Sequence, residues 1–285
     1  MNKSHSFGLI DVALLVMVVI WGVNFTVVKT ALQEMTPMAF NALRFAGASV
    51  LTLLLAWLIE RDLTIARRDW GLVLLLSFIG NFMYQVLFIN GLARSRASNT
   101  SLILSTSPIF VALVSTLTKA EKLSGRNWAG ILLSFLGIFL LITGANNGIA
   151  VDQRTLWGNI LVLCSTISWA IYTVLLRRLL QRNSVIKATA WIMAATTPLL
   201  VLVAVPDFLT QNWRAISWGS WLGLFYSSVI AIGIGYVIWN MGVQRVGSVR
   251  TAVYSYFTPV ISVIVAWIFR GENMQPWQAL GALGI

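Results

Sequence analysis

Charge is what this 285-residue chain has least of: 10% of its residues are Asp, Glu, Lys or Arg, against 58% hydrophobic, and its mean hydropathy is +0.82. A soluble domain carries about a quarter charged residues, so a water-facing surface cannot be covered here. Cysteine occurs once, Cys164, inside an apolar run, which excludes a disulfide framework and a thiolate metal cluster. The one histidine, His5, precedes the first apolar run. No Asp, Glu or His falls in the middle of an apolar run, so no conventional intramembrane proton carrier is visible. Coupling through Asp11, Glu121 or Glu272 stays open. A Gly-x-x-x-x-Gly-Lys-Ser/Thr loop is missing, which excludes direct driving by ATP. Chemistry on lipid or prenyl phosphates would require clustered Asp, His or metal-binding carboxylates at a membrane face. Nine dispersed acids do not supply it. The chain reads as no enzyme, with no metal and no cofactor.

What is present is a succession of long apolar runs. About 20 apolar residues cross a bilayer as a helix, and polar breaks divide this chain into spans near 9–31, 38–59, 70–91, 97–118, 126–144, 157–180, 187–205, 218–242, 248–269 and 275 onward. Unpaired backbone groups are costly in lipid, so a bundle of spanning helices is the expected fold. The first run has Lys3 ahead of it but no small-residue cleavage site, and reads as a retained helix. The formal charge of +11 comes from short clusters between spans and not from one face or tail, so it does not predict nucleic-acid binding. With the N-terminus inside, Lys and Arg number 13 in the inner segments and six in the outer ones, Arg44 lying within span 2. That bias places both termini in the cytoplasm.

Residues 71–134 and 222–285 read as two copies of one segment, about 151 positions apart. Gly91 matches Gly242, Arg94 matches Arg245, Thr100 matches Thr251, Pro108 matches Pro259, Glu121 matches Glu272 and Gly130 matches Gly281. With Ser77/Ser228, Ile79/Ile230, Val86/Val237, Val114/Val265 and Leu132/Leu283 this makes eleven identities in 64 positions. Composition alone gives greasy helices shared residues. A Pro and a Glu coinciding in a chain with six prolines and nine acids carry more weight. The predicted fold is all-α and integral to the membrane: ten spans as two five-helix units, 1–150 and 151–285, the second inverted because five crossings are odd. Duplicated, inverted units are how secondary transporters build two gates around one central site. By the same offset span 10 should reach about position 295, so the chain reads as a fragment whose tenth helix is cut short.

Several motifs carry a family resemblance. Trp21-Gly-Val-Asn-Phe25 followed by Lys29, Leu43-Arg44-Phe45, Leu104-Ser-Thr-Ser-Pro108 and Ala120-Glu121-Lys-Leu123 before Trp128-Ala-Gly130 resemble the first half of the EamA-type family of the drug/metabolite transporter superfamily. Ser168-Trp-Ala170 with Tyr172, Val246-Gly-Ser248, Phe257-Thr-Pro259 and Gly271-Glu272 repeat the pattern. The first copy departs from the second in having Ala120 where the second has Gly271. The resemblance implies ten helices in two inverted repeats and transport of small metabolites, usually export, and names no substrate.

Polar and aromatic residues inside spans are the candidate substrate contacts. Asn81 and Gln85 lie one turn apart in span 3. Tyr236 and Asn240 occupy the corresponding region of span 8, with Trp239 between them. Amides donate and accept, so they suit the two ends of a zwitterion, or else they bond neighbouring helices. Trp21 and Trp169 sit near the middles of spans 1 and 6, where tryptophan is unusual. They suit an aromatic cavity wall or plain core packing, with Asn24 nearly one turn from Trp21. Ser105 and one of Tyr254 and Tyr256, taken as Tyr256, are offered by spans 4 and 9. Pro108 and Pro259 predict kinks in those spans, candidate hinges of alternating access or static bends. Arg44, about 9 Å into span 2, is placed to receive a substrate carboxylate; the leading expectation is that it snorkels outward, pairs with Glu34 or caps carbonyls. Glu121 and Glu272 are expected to hold a loop or helix terminus.

The reading that results is a secondary transporter, exporting small amphipathic metabolites such as amino acids or related compounds, with drugs as a further class. Import or exchange of sugar- or nucleotide-type metabolites is the alternative, and a non-transporting scaffold a weaker one. The partners are a small-molecule substrate and the bilayer, not nucleic acid. The expected state is a monomer or weak homodimer in a bacterial inner membrane.

Overall fold

The computed structural model describes residues 7–95, 100, 103–143 and 153–270. Among them every regular element is helical. Among the described residues six helices are long and apolar enough to cross a bilayer: α1 (Leu9–Ala31), α2 (Pro37–Glu60), α3 (Arg67–Arg94), α6 (within Gln153–Leu180), α7 (Val185–Thr210) and α8 (Trp218–Val246). Between and after them lie α4 (Ser107–Leu117), α5 (Gly125–Thr143), α9 (Ser248–Tyr254) and α10 (Phe257–Arg270). Glu272 and the expected tenth span fall outside the described residues.

Local chemistry sets the helix ends. Asp11 folds back to accept the Gly8 N–H at 2.8 Å at the start of α1. Pro37 opens α2, where a missing N–H is harmless. Ser184 and Ser217 accept N–H groups of the first turns of α7 and α8. Helix α7 runs on past Pro206 to Thr210, five residues beyond the sequence expectation of an end near 205, and through a second proline, Pro198. The turn between α8 and α9 is made at Gly247, whose φ of 93° is open to glycine and strained for other residues. A Cβ there would also lie 3.1 Å from Glu121 Oε1.

Several helix contacts recur in both halves of the chain. Helix α1 packs on α8 and α10, and α6 packs on α3 and α4. Helices α2 and α7 run along each other, α2 also touching α8, and α7 touching α3. Small and four-spaced residues let α2 and α7 approach: Ala48, Thr52 and Ala56 on one, Ala188, Ile192, Thr196, Leu200 and Ala204 on the other, all buried. The outer surface is apolar, with Val12, Val16, Val50, Leu54, Leu74, Phe78, Leu202 and Phe225 exposed, as a lipid-facing surface requires. Trp57, Trp157 and Trp218 are exposed near helix ends, where tryptophan anchors to the interface.

Two irregularities occur twice. Wider π turns interrupt α3 at Ser77–Met83 and α8 at Tyr226–Ile234. Each packs on an aromatic residue of the other half. The Trp21 Nε1–H donates to the Ala231 carbonyl at 2.9 Å, and Gly80 leaves space for the ring of Tyr172. The Ser168 hydroxyl bonds the Ile79 carbonyl. Carbonyls pulled off the regular ladder are thus met by side-chain donors from the opposite half.

The second irregularity corrects an expectation. Pro108 and Pro259 do not kink continuous helices; they lie in the first turns of α4 and α10. The interruption comes just before, at residues 105–106 and 255–256. Proline has no N–H for the preceding turn and its ring crowds that carbonyl, so the chain crosses the break on three-residue bonds: Thr106 N–H to Ile103 O, and Ser255 N–H to Ala252 O. Hydroxyls of the same two residues, Thr106 and Ser255, bond the same two carbonyls at 2.6 Å.

Candidate functional site

The π stretch of α8 and the two helix breaks border a cavity of about 130 Å³ between the halves. An apolar cavity of ~150 Å³ is large enough to hold benzene, and this one is of similar size. Trp21, Asn24, Phe25 and Val28 of α1 form one wall, and Tyr84, Gln85, Phe88 and Leu92 of α3 another. Arg44 of α2, Thr166 and Trp169 of α6, and Ala231, Ile232 and Tyr236 of α8 enclose it, and the two breaks contribute Leu104, Ser105, Ser107, Ser255, Thr258 and Pro259.

The aromatic wall is one connected cluster. Trp169 lies with its ring centroid 6.1 Å from Trp21, 5.3 Å from Tyr236, 5.2 Å from Trp239 and 5.0 Å from Tyr84. Edge and tilted arrangements predominate, as ring quadrupoles favour. Rings locked in this way give a rigid, apolar surface at little entropic cost.

The polar wall centres on Arg44. Its side chain is buried, with 3% of the residue exposed. Nε–H donates to Asn41 Oδ1 at 2.9 Å, Nη1 to Ser227 Oγ at 3.3 Å and Nη2 to Gln85 Oε1 at 2.6 Å. Gln85 Nε2 then donates to the Tyr236 hydroxyl at 3.1 Å. Gln85 and Tyr236 are 151 residues apart, equivalent positions of the two copies bonded to each other. The Arg44 side chain therefore neither snorkels nor pairs with Glu34, which instead accepts the Ser217 N–H at 2.8 Å. Tucked among helices α2, α3 and α8, a guanidinium some two turns into the span reaches polar side chains sooner than it reaches water.

Six of the nine proposed contact residues line the cavity: Trp21, Asn24, Gln85, Ser105, Trp169 and Tyr236. The other three do not. Asn81 is buried in the π stretch of α3, both its amide atoms without a partner among the described residues. Asn240 donates to Thr189 Oγ1 at 2.7 Å and accepts from the Tyr172 hydroxyl at 3.2 Å. Tyr256 donates to the Ile131 carbonyl at 3.0 Å. Tyr254 turns away to donate to Asp11 Oδ1 at 2.5 Å. Of the two prolines, Pro259 reaches the cavity, whereas Pro108 is buried beside it. Phe25, Tyr84, Ser107 and Thr258 were not among the expected contacts, for they become neighbours only once the halves interlock.

Ion pairs gather at the face where α1 begins. Asp11 bonds Arg250 at 2.7 Å, Glu121 bonds Arg177 at 3.2 Å, Asp69 bonds Arg182 at 3.4 Å, and Lys187 reaches Glu60 and Asp62 at 3.4 and 3.2 Å. Each joins the first half to the second. Glu121 also accepts the Ser248 N–H at 2.6 Å, holding the N-terminus of α9 in the structural role expected of it. The N–H and hydroxyl of Thr64, with Lys187, hold the Asp62 carboxyl below its ordinary range. At the opposite face the halves meet through hydrogen bonds. The Thr36 N–H donates to Gln211 Oε1 at 2.6 Å and the Met38 N–H to Asp207 Oδ2 at 2.8 Å. The Ser220 hydroxyl, followed by Ser217, lowers the Glu34 carboxyl there.

Comparison with known proteins agrees with this architecture. A solved crystal structure superposes with a TM-score of 0.81 at 19% identity, covering 96% of this chain and 93% of that one. The chain is 29% identical to the "probable amino-acid metabolite efflux pump" of Salmonella typhimurium, over 94% of this chain and 89% of that protein. It is 28% identical to the protein of the same description in Escherichia coli, over 94% and 89%. Residues 8–143 and 156–285 each match the EamA-like transporter family. Two family matches covering almost the whole chain, on a bundle of membrane-spanning helices, place this protein in the EamA-like family of drug/metabolite transporters: it is a multi-pass membrane transporter, not an enzyme.

Proposed function

We propose that this protein is a secondary exporter of small amphipathic metabolites, amino acids or related compounds, working by alternating access. The observation that carries the reading is the bond between Gln85 and Tyr236, equivalent residues of two copies, at the wall of a central cavity. Such a contact is expected where a twofold axis in the membrane plane relates two inverted units, and there one side chain serves both states. On this reading there are ten spans in two five-helix units, 1–150 and 151–285, with both termini cytoplasmic in a bacterial inner membrane. The functional unit is a monomer or weak homodimer. The breaks before Pro108 and Pro259 are the hinges, one in each unit. Aromatic walls with a few convergent polar groups suit a molecule of amino-acid size, and two relatives carry the description "probable amino-acid metabolite efflux pump".

Uptake of labelled neutral, aromatic, basic and acidic amino acids into proteoliposomes tests the proposal, with and without a pH gradient. Saturable flux that Gln85→Ala abolishes at unchanged folding is the expected result. Flux that is indifferent to Gln85→Ala, or transport of sugars, nucleotides or cationic drugs in place of amino acids, would contradict it.

A further inference from the structure

Arg44 carries a full charge into a site whose other walls carry none. No carboxylate lies within ion-pairing distance of it among the described residues; the five ion pairs there all lie at the face where α1 begins. Its partners are two amides and one hydroxyl. These orient the guanidinium but leave its charge standing, and a guanidinium has five N–H donors, of which they use three. A charge held out of water without a counter-charge is costly, and such groups in membrane proteins mark substrate pathways. The same cavity holds unmet acceptors. Asn24 Oδ1, Ser107 Oγ and Thr258 Oγ1, on α1, α4 and α10, are buried with no partner among the described residues.

We infer that Arg44 is the carboxylate subsite of this cavity, and that Asn24, Ser107 and Thr258 receive the substrate's ammonium group. The assignment rests on the transport reading above and narrows it to molecules bearing a carboxylate on an aromatic or aliphatic body. A carboxylate accepts two parallel N–H bonds from a guanidinium and neutralises it. The body then lies against Trp21, Phe25, Phe88 and Trp169. Cationic amphiphiles meet the uncompensated charge of Arg44 and are rejected.

The test compares leucine, methionine and phenylalanine with their carboxamides and their N-acetyl derivatives. Each competes for flux in proteoliposomes and is scored for thermal stabilisation of the purified protein. Free acids should compete at least about tenfold better than carboxamides, because a hydrogen bond to a charged group is lost with the carboxylate. Arg44→Gln should erase that preference, with carboxamides unaffected. Asn24→Ala should weaken the free acids and leave the N-acetyl acids, which have no ammonium, as they were. Should Arg44→Gln fail to fold, the acid-to-amide ratio of the unaltered protein decides alone. Carboxamides carried as well as acids would overturn the assignment while leaving the transporter standing. No flux of any compound, sugars and nucleotides included, would remove the transport reading and this assignment with it.

Discussion

Gly80 and Tyr172 set the tightest local constraint at the scale of single residues. A Cβ on Gly80 would lie 2.1 Å from Tyr172 Cδ2 and 2.5 Å from its Cβ, so the base of the ring is in the way and not a flexible end. Gly80→Ala should lower the thermal midpoint of the detergent-solubilised protein by several degrees, the effect of about 1–3 kcal/mol of overpacking. Adding Tyr172→Ala should recover part of the loss; an unchanged midpoint in the single variant would contradict this packing. Residue-level chemistry was partly legible in the sequence. Trp21 and Trp169 stood out because tryptophan at mid-span is unusual, and both line the cavity. Arg44 was legible as a charge but not as a buried one, since what surrounds it comes from α3 and α8. Asn81 and Gln85 share a face on regular α-helical spacing. The π stretch widens the turns there, and only Gln85 meets the cavity.

At the scale of elements, the recurring devices are widened turns, broken helices and capped ends. Glu121 makes its element-level contribution as an acceptor for the α9 N-terminus as well as a partner of Arg177. The Arg177 side chain is 37% exposed, so the ion pair itself is weak. Glu121→Gln should therefore retain most of the stability, because an amide oxygen still accepts the Ser248 N–H. Glu121→Ala should lose about 1 kcal/mol, as caps do, and thermal unfolding of the two variants side by side checks the order. Span positions followed from the apolar runs to within a few residues for α1, α2 and α3. The break in the helices before each proline was legible only as a kink, because proline marks a disrupted turn without saying whether the chain bends or restarts. The π stretches left no mark in the sequence beyond the Ser77/Ser228 and Ile79/Ile230 matches, since a wider turn is set by packing against the opposite half.

At the scale of the whole molecule, the two faces differ in kind among the described residues. The face where α1 begins is tied by ion pairs between the halves, whereas the opposite face is joined by hydrogen bonds at helix ends. The cavity reaches Val28 and Leu92, near the ends of α1 and α3 at that opposite face. On the alternating-access reading proposed above, the ion pairs part while the opposite face closes, and the breaks before α4 and α10 are the proposed moving joints. The repeat was legible in the sequence from the paired Pro and Glu, and both halves match the same family, but the packing of α1 on α8 and α10 was not. The most direct test introduces Thr258→Cys at the cavity wall after removing the free thiol with Cys164→Ser. A membrane-impermeant maleimide is then applied from either side of oriented proteoliposomes. Labelling from each side, with substrate shifting the balance between them, is the predicted result. Labelling from one side alone under every condition would contradict alternating access around this cavity.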